Sequence, residues 1–202
     1  MNSIWRGTRA LFLLTVLAEA SCAPDLRVDH PFDGLESTDQ FVTTEVDSSG
    51  VTTMHVNATN KASQIFVDLD LGRELKTSEA FSSNAWDLSF KRFEISTNGG
   101  AGNPDGTVSV AVLNNVDFDA LTAVPDAEFQ QDGAERIFSS VEGGWYAYDL
   151  GVHRLVAQDR LLYVVRTSTG ASMKLKMLSY YDPQGTPAVI SLKYAQLAEE
   201  GR

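Results

Sequence analysis

From residue 41 onward the apolar side chains recur mainly at every second position, in short runs cut by turn-forming clusters. A period of two puts alternate side chains on opposite faces of an extended chain, so it predicts strands rather than helices. Residues 41–46 are rich in β-branched side chains and stop at Asp47-Ser48-Ser49-Gly50, and residues 51–57 resume the pattern, which predicts a hairpin. Residues 64–69 alternate again, with Ile65, Val67 and Leu69 on one face. Residues 74–80 fit a short helix or a loop. Trp86, Leu88 and Phe90 alternate with Asp87, Ser89 and Lys91. This predicts one half-buried strand running on through Arg92, Phe93, Glu94 and Ile95 to Thr97-Asn98-Gly99-Gly100. Residues 107–113 place Val108, Val110 and Val112 in register, after the turn signal Asn103-Pro104-Asp105-Gly106. Between residues 117 and 141 no single period fits.

The C-terminal part is clearer. Gly143-Gly144 precedes an aromatic strand, Trp145-Tyr146-Ala147-Tyr148. Residues 160–167 are apolar on both faces, as in a central strand. Residues 161–166, 173–181 and 189–194 have short connections and predict a sequential antiparallel meander. The expected fold is all-β, made of antiparallel β meanders in one domain over residues 41–202.

The first 21 residues read as an export signal. Arg6 and Arg9 precede a short apolar run of Leu11, Phe12, Leu13, Leu14, Val16 and Leu17. That run is too short to span a bilayer stably. Small residues then lead to Cys22, the only cysteine of the chain. Lipidation at Cys22 makes the protein an exported outer-membrane or cell-surface lipoprotein, held to the membrane through its lipid anchor. Residues 22–40 are then anchor and polar tether. Cleavage at Ala18-Glu19-Ala20 is the alternative and leaves a periplasmic or secreted soluble protein.

Composition removes several functions. A lone cysteine rules out an internal disulfide and cysteine-cluster metal sites. A net charge of −11 argues against a nucleic-acid partner. Three histidines leave little for a multi-histidine centre. The sequence contains no GxGxxG, P-loop, HExxH or GxSxG pattern, so no catalytic constellation is read and an enzyme is not expected.

Trp86-Asp87-Leu88-Ser89-Phe90-Lys91-Arg92 followed by Thr97-Asn98-Gly99-Gly100 resembles the HmuY family of bacterial haem-binding lipoproteins. Gly143-Gly144-Trp145-Tyr146, Leu162-Tyr163-Val164-Val165-Arg166, Lys174-Leu175-Lys176 and Ser179-Tyr180-Tyr181-Asp182 continue the likeness in order and spacing. The resemblance implies an all-β haemophore-like protein. Such a protein captures haem outside the cell and passes it to a TonB-dependent outer-membrane receptor. The family prototype holds iron between two histidines, and some relatives are thought to use methionines. Neither prototype histidine carries over. The chain from Asp126 to Glu142 is too short for the insert bearing one, and Asp149 and Leu150 stand where the other lies.

The nearest histidine, His153, becomes the candidate iron ligand, on a predicted loop beside Trp145, Tyr146 and Tyr148. Trp145 and Tyr148 are candidate walls for the haem disc, and Lys91, Arg92 and Arg154 are candidate partners for its propionates. Met173 and Met177 share a strand face with Leu175 and read as core filling, Met54 as core, and His55 as outward-facing. His30 falls in the tether. Asp68 and Asp70 read as sharing one solvated face. Two alternatives stand beside haem capture: a scaffold or protein-interaction lipoprotein on the same fold, and an exported hydrolase with carboxylates assembled in space.

Overall fold

The computed structural model describes residues 40–140 and 143–198. The leader, Cys22, His30 and the tether lie outside the described residues, apart from Gln40. Strand β1 (Val42–Val46) and β2 (Thr52–Asn57) form the predicted hairpin. Asp47 closes its turn by accepting the backbone N–H groups of Ser49 (2.8 Å) and Val51 (3.1 Å), while Gly50 supplies the positive φ of 83°. Met54 and Val56 are fully buried on one face. His55 faces the other way, with Nδ1 2.8 Å from the Ser191 hydroxyl.

Next come β3 (Ile65–Asp68), β4 (Arg73–Leu75) and a short helix α1 (Thr77–Ser82), then β5 (Leu88–Lys91), β6 (Glu94–Thr97) and β7 (Ser109–Asn114). A 3-10 turn at Ile137–Ser139 follows. The chain ends with β8 (Tyr146–Asp149), β9 (Arg154–Ala157), β10 (Leu161–Arg166), β11 (Ser172–Tyr181) and β12 (Pro187–Gln196). The strands form an antiparallel six-stranded sheet in the order β1-β2-β12-β11-β10-β7, a four-stranded sheet β4-β3-β5-β6 and the ribbon β8-β9. The meander β10-β11-β12 is present as expected. Strand β12 also pairs with β2, so the last strand joins the first hairpin to the meander.

The two larger sheets share one core. Met54, Val67, Leu88, Phe90, Val110, Tyr163, Leu175 and Leu192 all contribute to it, as do the predicted core methionines Met173 and Met177. Each fully buried side chain of this size contributes about 1.5–3 kcal/mol over exposure. Strand β10 is buried on both faces: Tyr163 and Val165 point into this core. On the opposite face Val164 packs with Ala111 and Leu197, under Leu121, Val124 and Phe129. The first part of the irregular segment, from Phe118 to Phe129, is therefore a lid over the outside of the large sheet, whereas Ile137 and Phe138 enter the shared core. Lys174 holds it down by donating to the carbonyls of Phe118 (2.7 Å) and Leu121 (2.8 Å).

Residues 86–95 depart from the single predicted strand. They form the hairpin β5–β6, with Lys91 opposite Glu94 and Arg92 at a positive φ of 57°. The turn carries no glycine, asparagine or proline, so nothing in its composition marks it. Trp86 lies just before β5 and belongs to a separate cluster with Phe66, Leu75, Ala80 and Ala85. Its ring meets Phe66 edge-on at 5.1 Å. Trp86 and Trp145 thus anchor different cores.

Candidate functional site: the aromatic hairpin

Strands β8 and β9 pair Tyr146 with Ala157, Ala147 with Val156, Tyr148 with Leu155 and Asp149 with Arg154. The connection 150–153 is shaped by Asp149, whose Oδ1 accepts the N–H groups of Gly151 (2.7 Å) and Val152 (3.3 Å). His153 closes the turn at a φ of 52°, a left-handed conformation that histidine enters more readily than most residues. Alternation puts Tyr148 and His153 on the face opposite Asp149 and Arg154. There the Tyr148 hydroxyl lies 3.0 Å from His153 Nδ1, in solvent.

The base of the hairpin is fixed by aromatic contacts. Trp145 is fully buried, and its indole N–H donates to the Phe93 carbonyl at 2.9 Å. Tyr146 packs edge-on to Trp145 at 5.2 Å and to Phe93 at 5.6 Å. Burial, with Glu94 nearby, raises the Tyr146 phenol above its usual range. Tyr181 of β11 accepts the N–H of Leu155 at 3.2 Å, and the Arg154 guanidinium lies 3.9 Å above its ring. Beyond this base the hairpin is open: Tyr148 is 53% exposed, Leu150 76%, Val152 61% and Val156 48%. Val156 lies on the Arg154 face, whereas Leu150 and Val152 sit in the connection between the phenol and the imidazole and offer apolar surface to a flat guest carrying a metal.

The candidate residues divide. Tyr148 and His153 stand together on one face of the hairpin, while Arg154 lies on the other, over the Tyr181 ring. Trp145 is inside the core beneath it, with no exposed surface. Arg92 sits at the neighbouring β5–β6 turn, donates to the Thr59 carbonyl at 3.0 Å and holds its charge near the Tyr180 phenol. Lys91 lines a different, polar cleft of about 490 Å³ with Gln64, Glu94, Ser96 and Arg136. Another cleft, of about 460 Å³, lies by Val110, Gln130, Gln131, Ile137 and Gly143 and includes none of the candidates. Sequence reading missed β9 and the Tyr148–His153 contact. The only available signal was the spacing of two polar aromatic side chains across an Asp-x-Gly turn.

Asp68 and Asp70 correct another expectation. They do not share a solvated face: Asp68 is fully buried at the end of β3, where the period of two lapses. Their carboxylates gather with that of Asp87, all within 4.8 Å of one another. Asp87 is fully buried and accepts the N–H groups of Leu69 and Ser168, each at 2.7 Å. Asp70 accepts the Thr167 (3.2 Å) and Thr169 (3.0 Å) hydroxyls. The group therefore fastens β3 and the start of β5 to the β10–β11 turn. Burial first, then the charges of Asp68 and Asp70, push the Asp87 carboxyl up to about 8.

Geometry thus defines an all-β domain of two sheets on one core, with an exposed aromatic hairpin that carries a phenol–imidazole pair. The family with which it agrees is HmuY: the family model for the HmuY protein matches residues 60–148, from just before β3 into β8. Solved structures share the fold. A protein from Bacteroides fragilis described as a lipoprotein is 16% identical with a TM-score of 0.54, over 79% of this chain and 96% of its own. A protein from Bacteroides vulgatus described as HmuY-like and heme-binding is 15% identical with a TM-score of 0.53, over 76% and 96%. The apo HmuY analog of Tannerella forsythia is 16% identical with a TM-score of 0.54, over 82% and 100%. None of the curated proteins matches this sequence. The family and structural matches agree with the HmuY resemblance and the all-β fold read from the sequence. No helix among the described residues is long and apolar enough to cross a membrane.

Proposed function

We propose that the protein is a non-enzymatic haem-binding lipoprotein of HmuY type. It captures haem at the β8–β9 hairpin outside the cell and hands it to a TonB-dependent outer-membrane receptor. Residues 1–21 are the leader, Cys22 carries the lipid, residues 22–40 are the tether, and residues 41–202 are the binding domain. The observation that carries this reading is the Tyr148–His153 pair on an exposed apolar hairpin. It stands on the fold of a Bacteroides vulgatus protein described as heme-binding.

The residues suit the group. Tyr148 and His153 offer oxygen and nitrogen donors to iron. Tyr148, Leu150 and Val152 offer apolar surface to a porphyrin face. Arg154, kept over the Tyr181 ring on the other face of the hairpin, is the cation offered to a propionate at the ribbon edge. Arg92 serves the same end from the adjoining turn. Bound haem would supply the redox-active iron; the chain's residues hold and orient it.

Titration of the purified protein with haemin tests this. A saturable Soret shift at one haem per chain is expected. Absence of a spectral change would remove haem and favour a scaffold or interaction lipoprotein built on the same shell. Turnover of a glycoside or ester panel would instead reveal a hydrolase.

A further inference from the structure

Away from the ribbon, the four-stranded sheet turns one face to the core and one outward. Phe90 and Ile95 point into the shared core, so Ser89, Lys91, Glu94 and Ser96 of β5 and β6 point out. One end of the outward face is sealed. Phe66, opposite Ser89, is covered by Trp86 at 5.1 Å and by Phe81 of α1 at 5.4 Å. The other end is polar and open. Residues 134–136 wall it, and Gln64, Lys91, Glu94, Ser96, Glu135 and Arg136 line a cleft of about 490 Å³ there. That size falls in the range of small-molecule sites. Lys91 and Glu94 are direct partners in the register, yet no ion pair joins them, and Glu135 pairs with no cation among the described residues. Arg136 is held from behind. The buried Asp132 carboxylate lies 3.8 Å from its Nη1 and is itself fixed by the N–H groups of Thr97 (2.7 Å) and Ile137 (3.0 Å). The Arg136 side chain remains 35% exposed, and its guanidinium donates no hydrogen bond to any described residue. A planar set of N–H donors, anchored by charge and otherwise unused, suits an acceptor from outside.

We infer that this cleft is a second binding site, for a small zwitterion of the free amino-acid or short-peptide class. Charge decides the class. A simple anion would meet Glu94 and Glu135, and a simple cation would meet Lys91 and Arg136. A neutral saccharide would leave both signs without a counter-charge. A ligand with a free carboxylate and a free ammonium satisfies both at once. Its carboxylate faces Arg136, whose fork matches two carboxylate oxygens, and Lys91 is the second cation of the cleft. Its ammonium takes Glu94 and Glu135. Gln64 spends its Nε2 on the Ser89 hydroxyl at 2.7 Å and presents its amide oxygen to a peptide N–H. No aromatic or large apolar side chain lines the cleft among the described residues, so a porphyrin finds no wall here. The site is separate from the hairpin and does not rest on the haem reading.

The test follows backbone amide shifts of the isotope-labelled protein by NMR during titration with glycylglycine, and with acetate, ethylamine and glucose as controls. Glycylglycine is expected to shift the amides of Lys91, Glu94, Ser96 and Arg136 saturably, with a dissociation constant below about 1 mM. The three controls should leave them in place at the same concentrations. Arg136→Gln and Glu94→Gln, each first shown to be folded by circular dichroism, should bind glycylglycine about tenfold more weakly, the cost of one charge-assisted contact. Glu94→Gln sits on an exposed strand end and keeps the test open should Arg136→Gln fail to fold. Acetate or ethylamine acting as well as glycylglycine overturns the zwitterion in favour of a simple ion site. A response to glucose, or none to glycylglycine, overturns the proposal outright. Unchanged affinity in the folded variants places binding elsewhere and overturns it as well.

Discussion

At the scale of single residues, the buried carboxyl of Asp87 makes a direct prediction. Its value in the folded protein is about 8, well above that of an exposed aspartate. Between the two values the native state keeps a proton that the unfolded chain gives up. Its stabilising contribution is therefore complete below the ordinary carboxylate range and is lost as pH rises toward 8. The urea midpoint is expected to fall from pH 5 to pH 8, and Asp87→Asn should flatten that fall. The variant should start about 1 kcal/mol lower, because an amide oxygen cannot accept both N–H groups that the carboxyl accepts now. A wild-type midpoint that stays level or climbs would count against the buried proton. Asp87 was legible only as the polar half of an alternating strand, since its burial depends on a turn 81 residues away in sequence. The glycines after Asn98 were legible as a turn, yet their reason is contact. A Cβ at Gly99 would press on the Val108 carbonyl, and one at Gly106 on the Asn98 carbonyl. Asn98 itself is buried, donating to the carbonyls of Asn84 (3.1 Å) and Trp86 (2.7 Å).

Among the elements, the β8–β9 ribbon pairs with no strand of either larger sheet and is held by side-chain contacts at its base. Tyr181 is the tie on the β9 side, through its hydroxyl to the Leu155 N–H. Tyr181→Phe removes that acceptor and keeps the ring under Arg154. The loss should be about 1 kcal/mol, typical of one hydrogen bond. Amide exchange should quicken in residues 146–157 and stay unchanged in β10 to β12. Protection spread evenly over all strands would mean that the ribbon opens only with the whole domain. Strands β2, β11 and β12 were readable because one-sided burial writes alternation into sequence, and β10 was readable as an apolar run buried on both faces. Strand β9 was not readable: its exposed residues, Arg154 and Val156, include an apolar one, and its half-buried partners rest on another element. The lid over the large sheet was unreadable for a related reason. Its anchors, Phe118, Leu121, Val124 and Phe129, meet the sheet at irregular intervals, and Lys174 holds them from a strand some 50 residues later.

For the whole molecule, β12 is the piece on which the rest closes. It lies between β2 and β11, and its Ile190 and Leu192 are fully buried in the shared core. A chain ending at Thr186 is expected to give an unfolded far-ultraviolet spectrum. A folded spectrum from it would show that the first hairpin and the small sheet stand without the last strand. The six-stranded sheet pairs Asn57 with Val189, so its closing contact spans most of the domain and is slow to form. A polypeptide that emerges N-terminus first thus lacks its keystone until every other strand of the domain has emerged. Such an order of assembly leaves the earlier strands unlocked and postpones compaction until β12 arrives.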